Sequence, residues 1–200
     1  MLKIASRSPD NFAQMCYPLD DINRYILMNG GEGMDEAKII AEIQSGQADK
    51  LGPLIEAHYG KIFAYCYRHT GDKELAQDLT QDTFLKMLDH IHKYEHYGKF
   101  QNYLYVIAGN VCKDYFKKKK PLYADTLTED MVSESNLEEI LAVQAAIGGL
   151  PFPERNAILL QYYHGCSIHE IATITNSTVP VTKYRLRRAK IKLQKILGGS

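Results

Sequence analysis

Apolar residues recur every three or four positions along most of this 200-residue chain, which is the spacing of amphipathic helices. The first block of this pattern runs from Asp35 to Lys120, with a break at Gly71 and Asp72, where Asp72 is suited to cap the next helix. Pro121 ends the block, because proline cannot continue a helix. Two buried stripes are predicted within it: Ala76, Leu79, Thr80, Thr83, Phe84, Met87, Leu88 and Ile91, followed by Phe100, Leu104, Ile107, Ala108, Val111 and Tyr115.

A second helical block begins at Asn136, after a polar, acidic stretch that shows no periodicity. Pro153 and Gly165 are placed to open and to end one of its helices. Since no strand pattern of any length is present, the chain is predicted to be all-α, with two small helical domains joined by a flexible linker. The predicted boundaries are 1–34 for an N-terminal extension, 35–120 for the first domain, 121–135 for the linker and 136–200 for the second domain.

The second domain has the outline of a helix-turn-helix, in which a short helix and a tight turn precede a longer helix that contacts DNA. Ser167 and Glu170 form a capping-box pattern, which predicts a short helix that ends near Thr175. A turn at Asn176 follows, and Pro180 begins the long helix. Four residues of the long helix are predicted to pack inward: Thr182, Leu186, Ala189 and Leu193.

The outward side of this long helix is basic and is predicted to contact duplex DNA. Arg187 and Arg188 are candidates for reading base edges, because a guanidinium can bind guanine through two hydrogen bonds. Lys183 and Tyr184 lie beside them. A solvated basic helix is the alternative, but the cap, the turn and the inward stripe together favour DNA binding. Three flanking residues are better placed for phosphates: Arg185, Lys190 and Lys192.

Charge is segregated along the chain, although the formal net charge is zero. Lysines at positions 117–120 form one basic run, and positions 183–195 carry basic residues without an acidic one. Two basic surfaces with an acidic connector between them are typical of a protein that binds a polyanion. The acidic residues of the connector are Asp125, Glu129, Asp130, Glu134, Glu138 and Glu139.

Two outward faces in the first domain each admit two interpretations. One contains Asp78, Gln81, Asp82, Leu85 and Lys86, and an exposed leucine among carboxylates fits either a partner surface or an ordinary solvated face. The other contains Tyr103, Val106, Asn110, Lys113 and Lys117, where an aromatic ring and lysines could hold single-stranded DNA. Composition alone favours a core tyrosine and a solvated helix end for the second face.

Three segments, in this order, resemble the sigma factors of bacterial RNA polymerase. Residues 78–85 (DLTQDTFL) resemble the core-polymerase-binding segment of region 2, and residues 100–117 resemble the promoter-melting segment that follows it. Residues 150–155 (LPFPER) and 167–197 are similar to region 4. The order, the spacing and the acidic linker are those of the sigma-70-like extracytoplasmic-function subfamily (ECF, group IV), which keeps only these two regions.

The resemblance implies a transcription initiation factor that binds core RNA polymerase, directs it to specific promoters and promotes DNA melting. The implied partners are the β′ clamp and β flap of polymerase, promoter DNA and an anti-sigma factor. The β′ clamp would contact Asp78, Gln81, Asp82 and Leu85. The minus-ten element would contact Tyr103, Asn110, Lys113, Lys117 and Lys118. The minus-thirty-five element would contact Lys183, Tyr184, Arg185, Arg187 and Arg188.

Three positions depart from the usual pattern of this family. It usually has tryptophan where Tyr103 stands, arginine where Gly109 stands and a small residue where Tyr184 stands. A glycine inside a helix costs about 1 kcal/mol of stability, and the loss of the arginine removes one phosphate contact. These departures bear on the promoter sequence more than on the overall role.

Other functions would use only parts of the chain. A stand-alone helix-turn-helix regulator would dimerise and bind DNA without polymerase, which leaves residues 78–85 unused. A module that sequesters another transcription factor would not need the basic last helix. An enzyme or metal protein would depend on histidines and one cysteine that lack the usual zinc spacing, so no catalytic residue, metal or cofactor is expected. Those residues are His90, His92, His96, His164, Cys166 and His169.

Cysteine usage and hydropathy favour a cytoplasmic protein without membrane insertion. The four cysteines are scattered with no C-x-x-C pair, which fits reduced thiols, and no apolar run is long enough to span a membrane. Residues 1–33 end in a glycine-rich stretch, Asn29–Gly33, whose codons could resemble a ribosome-binding site. Translation starting at Met34 and a short, partly ordered tail are equally weighted hypotheses.

Overall fold

The computed structural model describes residues 35–95, 99–118 and 137–198, and these residues form helices and connecting turns without any strand. This confirms the predicted all-α fold. Two single-turn 3-10 helices are present, Ala48–Lys50 and Ile91–Lys93. The α-helices of the described ranges are α1 (Glu36–Gln44), α2 (Leu51–Thr70), α3 (Lys73–His90), α4 (Phe100–Lys118), α5 (Leu137–Gly148), α6 (Phe152–Tyr162), α7 (Ile168–Ile174) and α8 (Val179–Leu197).

The described residues divide into two compact units. Residues 35–67 and 73–118 belong to the first unit, and residues 68–72 and 137–198 belong to the second. The linker, the N-terminal extension, Asn136, Met34, Lys119 and Lys120 lie outside the described residues. The domain boundaries predicted at these places therefore stay predictions.

The first unit is built on the two stripes predicted in α3 and α4. Leu79, Met87 and Leu104 are among the side chains that are buried there. Two threonines in the α3 stripe are also buried, and each donates its hydroxyl to the carbonyl four residues earlier, at 2.6 Å for Thr80 and 2.7 Å for Thr83. Because these hydroxyls have partners, the stripe carries two polar residues without an unsatisfied group.

One polar side chain ties the end of α1 to the segment after α3 in the first unit. Gln44, the last residue of α1, donates its amide to the carbonyls of Ile91 and Tyr94, at 2.8 and 2.7 Å. Both carbonyls lie just after α3, where a side-chain donor satisfies acceptors that the helix end leaves open, and the Ile91 carbonyl also accepts from the Tyr94 amide at 3.1 Å. Gln44 therefore fixes the end of α1 to the segment that connects α3 with α4.

His58 of α2 lies in the core between α1 and α4. Its Nδ1 is 2.8 Å from Oε1 of Gln101, and its Nε2 is 3.3 Å from Oε1 of Glu36. The ring also meets Phe100 edge-on, with centroids 5.3 Å apart. Burial lowers the pKa of His58 from its ordinary value of 6.5, although Gln101 and Glu36 act in the opposite direction.

The second unit buries the inward stripe predicted for the last helix. Thr182, Leu186, Ala189 and Leu193 are all buried, and α8 packs against α5, α6 and α7. The helix begins at Val179, one residue before Pro180, because Thr178 caps it and accepts from the Val181 amide.

The predicted helix between Pro153 and Gly165 has slightly different ends in the structure. It begins at Phe152, with the proline in its first turn, and it ends at Tyr162. Gly165 lies three residues farther on and has φ of 63°, a left-handed conformation that glycine adopts without a steric penalty. The proline and glycine therefore predicted the presence of this helix correctly, but its observed ends differ from the predicted ones by one residue at the start and a few residues at the end.

The turn between α7 and α8 is closed by a chain of hydroxyl groups. Ser177 Oγ lies 2.8 Å from Thr175 Oγ1 and 3.0 Å from Thr182 Oγ1. Asn176, between them, has φ of 45°, which asparagine adopts more readily than most residues. These hydroxyls link the end of α7 to the first turn of α8, so they fix the angle at which the two helices meet.

The capping box at the start of α7 generates a prediction for Ser167→Ala. Ser167 Oγ accepts from the Glu170 amide at 3.3 Å, and Glu170 Oε2 accepts from the Ser167 amide at 2.8 Å. Loss of the hydroxyl should cost about 1 kcal/mol and raise amide exchange in α7 about fivefold, as measured by hydrogen–deuterium exchange mass spectrometry. Thr173→Ala, exposed on the same helix, is the control. Equal exchange in both variants would contradict the role of the cap.

The buried His58 predicts that the fold loses stability in acid. The unfolded chain takes up a proton near pH 6.5, whereas folded His58 does so only at lower pH. Its contribution is therefore complete above about pH 6.5 and is lost as the pH falls toward the pKa of the folded state. Burial lowers the pKa of His69 to about 3. This histidine therefore also makes the free energy of unfolding decrease as the pH falls below about 6.5.

The test is the thermal midpoint from circular dichroism at several values between pH 7 and pH 5. His58→Gln should flatten the decline because it removes one of the two buried imidazoles. His90→Gln, which removes an exposed histidine, should keep the full decline. A wild-type midpoint that is constant over this range would show that the prediction is wrong.

Candidate functional site

The outward side of α3 presents the four residues predicted to contact a partner. Asp78, Gln81, Asp82 and Leu85 are all exposed, and Leu85 is 59% exposed. Their spacing of three, one and three residues places them on one side of the helix, opposite the buried stripe. We call these four residues the docking face. A large apolar side chain between two carboxylates and an amide forms a small patch with a polar rim, as protein interfaces do.

The outward side of α4 begins with a cluster of aromatic rings. Tyr103 is half-buried, with its ring centroid 4.5 Å from that of Tyr94 and 5.7 Å from that of Phe100. Burial raises the pKa of Tyr103 above its ordinary value of 10, so its phenol is neutral at physiological pH. Tyr103 is therefore neither a fully buried core tyrosine nor a fully exposed ring for single-stranded DNA. Part of the ring packs in the cluster, and part of it is accessible.

The rest of this side of α4 is polar and open to solvent. Asn110, Lys113, Lys117 and Lys118 are exposed, and Val106 is half-buried. We call Tyr103, Asn110 and the three lysines the single-strand face. The half-accessible ring lies near the start of α4 and the lysines lie near its end. A ring that can stack on a base is thus followed along the helix by cations that can follow a phosphate backbone.

The outward side of α8 carries the predicted contacts to duplex DNA. Lys183, Tyr184, Arg187 and Arg188 are exposed, and Arg185 is half-buried. We call these five residues the recognition face. All of them lie in the N-terminal half of α8, which is the part of a recognition helix that meets base edges. The two flanking lysines, Lys190 and Lys192, are half-buried, and Lys190 lies over the Tyr162 ring at 5.3 Å.

An acidic residue of α6 contacts this basic helix, a contact that no periodic pattern in the sequence predicts. Glu154 is buried, and its carboxylate pairs with Arg188 at 3.3 Å and with Lys192 at 2.7 Å. The guanidinium of Arg188 also donates to the Tyr184 hydroxyl at 3.2 Å. The spacing of Arg188 and Lys192, four residues apart on one side of α8, is the signal that could have suggested a shared anionic partner.

Within the described ranges, the histidines, cysteines and carboxylates form no group of three or more that could hold a metal ion. His96 lies outside those ranges. Cys66, Cys112 and Cys166 are buried, and cysteine is among the residue types most often buried in proteins. None of the helices among the described residues is both long and apolar enough to cross a membrane.

Comparison with protein-family models identifies both units. Residues 54–121 match the family described as Sigma-70 region 2, and residues 140–193 match the family described as Sigma-70, region 4. Together the two matches span more than half of the chain. The first contains the docking face and all of α4, and the second contains the helix-turn-helix.

Relatives among characterised proteins extend these matches over most of the chain. It is 29% identical to the ECF RNA polymerase sigma factor SigW of Bacillus subtilis, over 80% of this chain and 95% of that protein. It is 28% identical to the ECF RNA polymerase sigma factor SigM of the same organism, over 72% of this chain and 93% of that protein. Because nearly the whole length of each relative is covered, the similarity is to entire proteins of this class.

Two solved structures share the fold. One is CnrH in complex with the cytosolic domain of CnrY, which covers 80% of this chain and 95% of CnrH with a TM-score of 0.63 at 24% identity. The other is the sigma factor RpoE in complex with the anti-sigma factor NepR from Bartonella quintana. It covers 75% of this chain and 98% of RpoE, with a TM-score of 0.62 at 19% identity.

Proposed function

The chain belongs to the sigma-70 family of RNA polymerase sigma factors, in its extracytoplasmic-function (ECF) group, and on this premise we propose how its parts direct polymerase to promoters. The observation that supports this division is that one chain matches both region 2 and region 4. The three exposed faces lie on helices within the matched segments. Each face has the side chains that one step of initiation needs.

The first step is attachment to core polymerase through the docking face. Leu85 supplies apolar area to be buried, while Asp78 and Asp82 supply charges that orient the partner. The proposed partner surface, the β′ clamp, therefore needs an apolar pocket beside basic residues. Because the stripe opposite this face is buried in the first unit, the four side chains project from a packed helix and need little ordering upon binding.

The second step is capture of unpaired minus-ten bases by the single-strand face. Tyr103 offers part of a ring for stacking, and Lys113, Lys117 and Lys118 offer cations to the phosphate backbone. Opening a base step costs a few kcal/mol, and stacking with phosphate contacts offsets that cost. Asn110 can accept and donate hydrogen bonds to a base edge between these groups.

The third step is contact between α8 and duplex DNA at the minus-thirty-five element. The recognition face would enter the major groove, with the hydroxyl chain linking the end of α7 to the first turn of α8. Each small unit makes few DNA contacts, so neither is expected to bind promoters tightly alone. Attachment to the same polymerase raises the effective concentration of each for its DNA element.

The other functions considered explain less of the chain. A stand-alone helix-turn-helix regulator would not use the docking face or the rest of the region 2 match. A module that sequesters another transcription factor would not use the basic helix α8. As an initiation subunit, the protein contributes binding and no bond-making step of its own. Its place of action is the bacterial cytoplasm, where polymerase works. An anti-sigma factor that covers one of the exposed faces is a further proposed partner.

Polymerase binding is predicted to depend on the docking face. Asp82→Arg and Leu85→Asp should each weaken one-to-one binding to bacterial core polymerase at least tenfold, because each puts an unfavourable charge into the contact. Native mass spectrometry or size-exclusion chromatography of the purified full chain with core polymerase measures this loss.

Two matched variants serve as controls. Glu56→Arg makes the same charge change on an exposed site of α2, and Ile196→Asp makes the same apolar-to-acidic change at a side chain that is 55% exposed. Both should bind polymerase like the wild type. If the wild type binds duplex DNA but not polymerase, the chain is a stand-alone regulator and the proposed function is wrong.

Promoter binding is predicted to depend on salt through the cations of the recognition face. Lys183→Gln and Arg187→Gln should each lower the slope of log affinity against log salt concentration by about 1, because each removes one phosphate or base-edge cation. Fluorescence anisotropy of the assembled holoenzyme on a labelled promoter duplex measures the slope. Lys38→Gln in α1, exposed and outside the recognition face, should leave the slope unchanged.

A further inference from the structure

Glu154 is a buried carboxylate whose partners both lie on the recognition helix. Its side chain is 8% exposed, with Oε2 2.7 Å from Nζ of Lys192 and Oε1 3.3 Å from Nε of Arg188. A carboxylate that loses its hydration needs cationic or hydrogen-bonding partners. The Nε edge of the Arg188 guanidinium is therefore held by Glu154 from the protein side.

The other side of the same guanidinium holds Tyr184. Its NH1 nitrogen donates to the phenol oxygen at 3.2 Å, and the central carbon lies 5.6 Å from the ring centroid. Because a guanidinium is planar and rigid, a contact at Nε determines where NH1 points. A chain of contacts thus runs from Glu154 in α6 through Arg188 to Tyr184, one helical turn earlier in α8.

Tyr184 is the end of this chain that faces solvent. Its side chain is 58% exposed, on the side of α8 opposite the buried Leu186 and Ala189. Because the phenol oxygen accepts from Arg188, its hydrogen remains available for donation to another group. In the major groove, guanine, adenine and thymine present acceptors, whereas cytosine presents an amino donor. The phenol is therefore poised to distinguish cytosine from the other three bases.

We infer that Tyr184 is a specificity-determining residue for promoter duplex DNA, held in its base-contacting position by Arg188 and Glu154. The assignment rests on the proposed function, because it requires α8 to lie in the major groove. It makes Arg188 a positioning residue, although arginine at this place is the obvious candidate for guanine. It also gives the buried Glu154 a role in base preference, at a distance from DNA.

The test is selection of bound promoters from a duplex library that is randomised over both recognition elements, using holoenzyme assembled from core polymerase and the full chain. Wild type should disfavour cytosine about tenfold at one upstream position, as a good hydrogen bond allows. Tyr184→Phe keeps the ring and should abolish this preference. Arg188→Lys and Glu154→Gln should each reduce the preference against cytosine at the same position. The double variant Glu154→Gln with Tyr184→Phe should show the same base preference as Tyr184→Phe alone, because Glu154 acts through Tyr184.

Lys192→Gln is the matched control, because it removes the other cation on Glu154 and leaves the bond between Arg188 and Tyr184 in place. It should lower binding equally for all sequences and keep the cytosine preference. All these residues lie in the second unit, so a far-ultraviolet circular dichroism spectrum and a thermal midpoint like those of the wild type show that each variant is folded there. Binding to core polymerase, which uses α3, shows the same for the first unit.

Two results would overturn the inference. One is a Tyr184→Phe variant whose base preference is unchanged, and the other is a Glu154→Gln variant that binds all DNA sequences more weakly by the same factor. Failure of the wild type to bind polymerase would instead overturn the proposed function, and the inference with it.

Discussion

An α-helix that buries one stripe of side chains must present the opposite side to solvent, because each residue turns about 100° from the one before it. In this chain α3, α4 and α8 each bury such a stripe, and each proposed contact surface is the reverse side of one of them. Packing therefore does two things with the same residues. It stabilises the unit by roughly 1.5–3 kcal/mol for each large apolar side chain, and it fixes the direction in which the outward residues point.

The outward surfaces differ in how many of their charged side chains form ion pairs within the protein. On α4 the lysines are exposed near the helix end, where cations also favour the macrodipole. On α8 two of the cations pair with Glu154, so they contribute less to long-range attraction of DNA than their number suggests. Pairing exchanges some electrostatic attraction for a defined side-chain position, and a defined position is what base discrimination requires.

Much of the fold followed from local signals. The stripes, the capping box at Ser167 and the turn at Asn176 depend on residues within one or two helical turns of each other. The structure confirms them, except that Leu88 and Tyr115 are half-buried where the stripes predicted burial. Helix ends were less accurate: proline occupies the first turn of α6 and of α8, and each helix begins one residue before its proline. Tyr103 shows another limit, because whether a helical tyrosine is core or surface depends on rings such as Tyr94 that arrive from outside its helix.

Local sequence dictates which residues form helices, which side of each is apolar and where the basic and acidic segments lie, because these properties depend on neighbours along the chain. Helix packing, in contrast, brings together groups that are far apart along the chain. His58 contacts Gln101 over a separation of 43 residues, and Glu154 reaches Lys192 over 38. No periodic pattern encodes such pairs, because they arise from the angles and distances at which helices pack. Those packing angles determine which cations on α8 are held by protein and which remain for DNA.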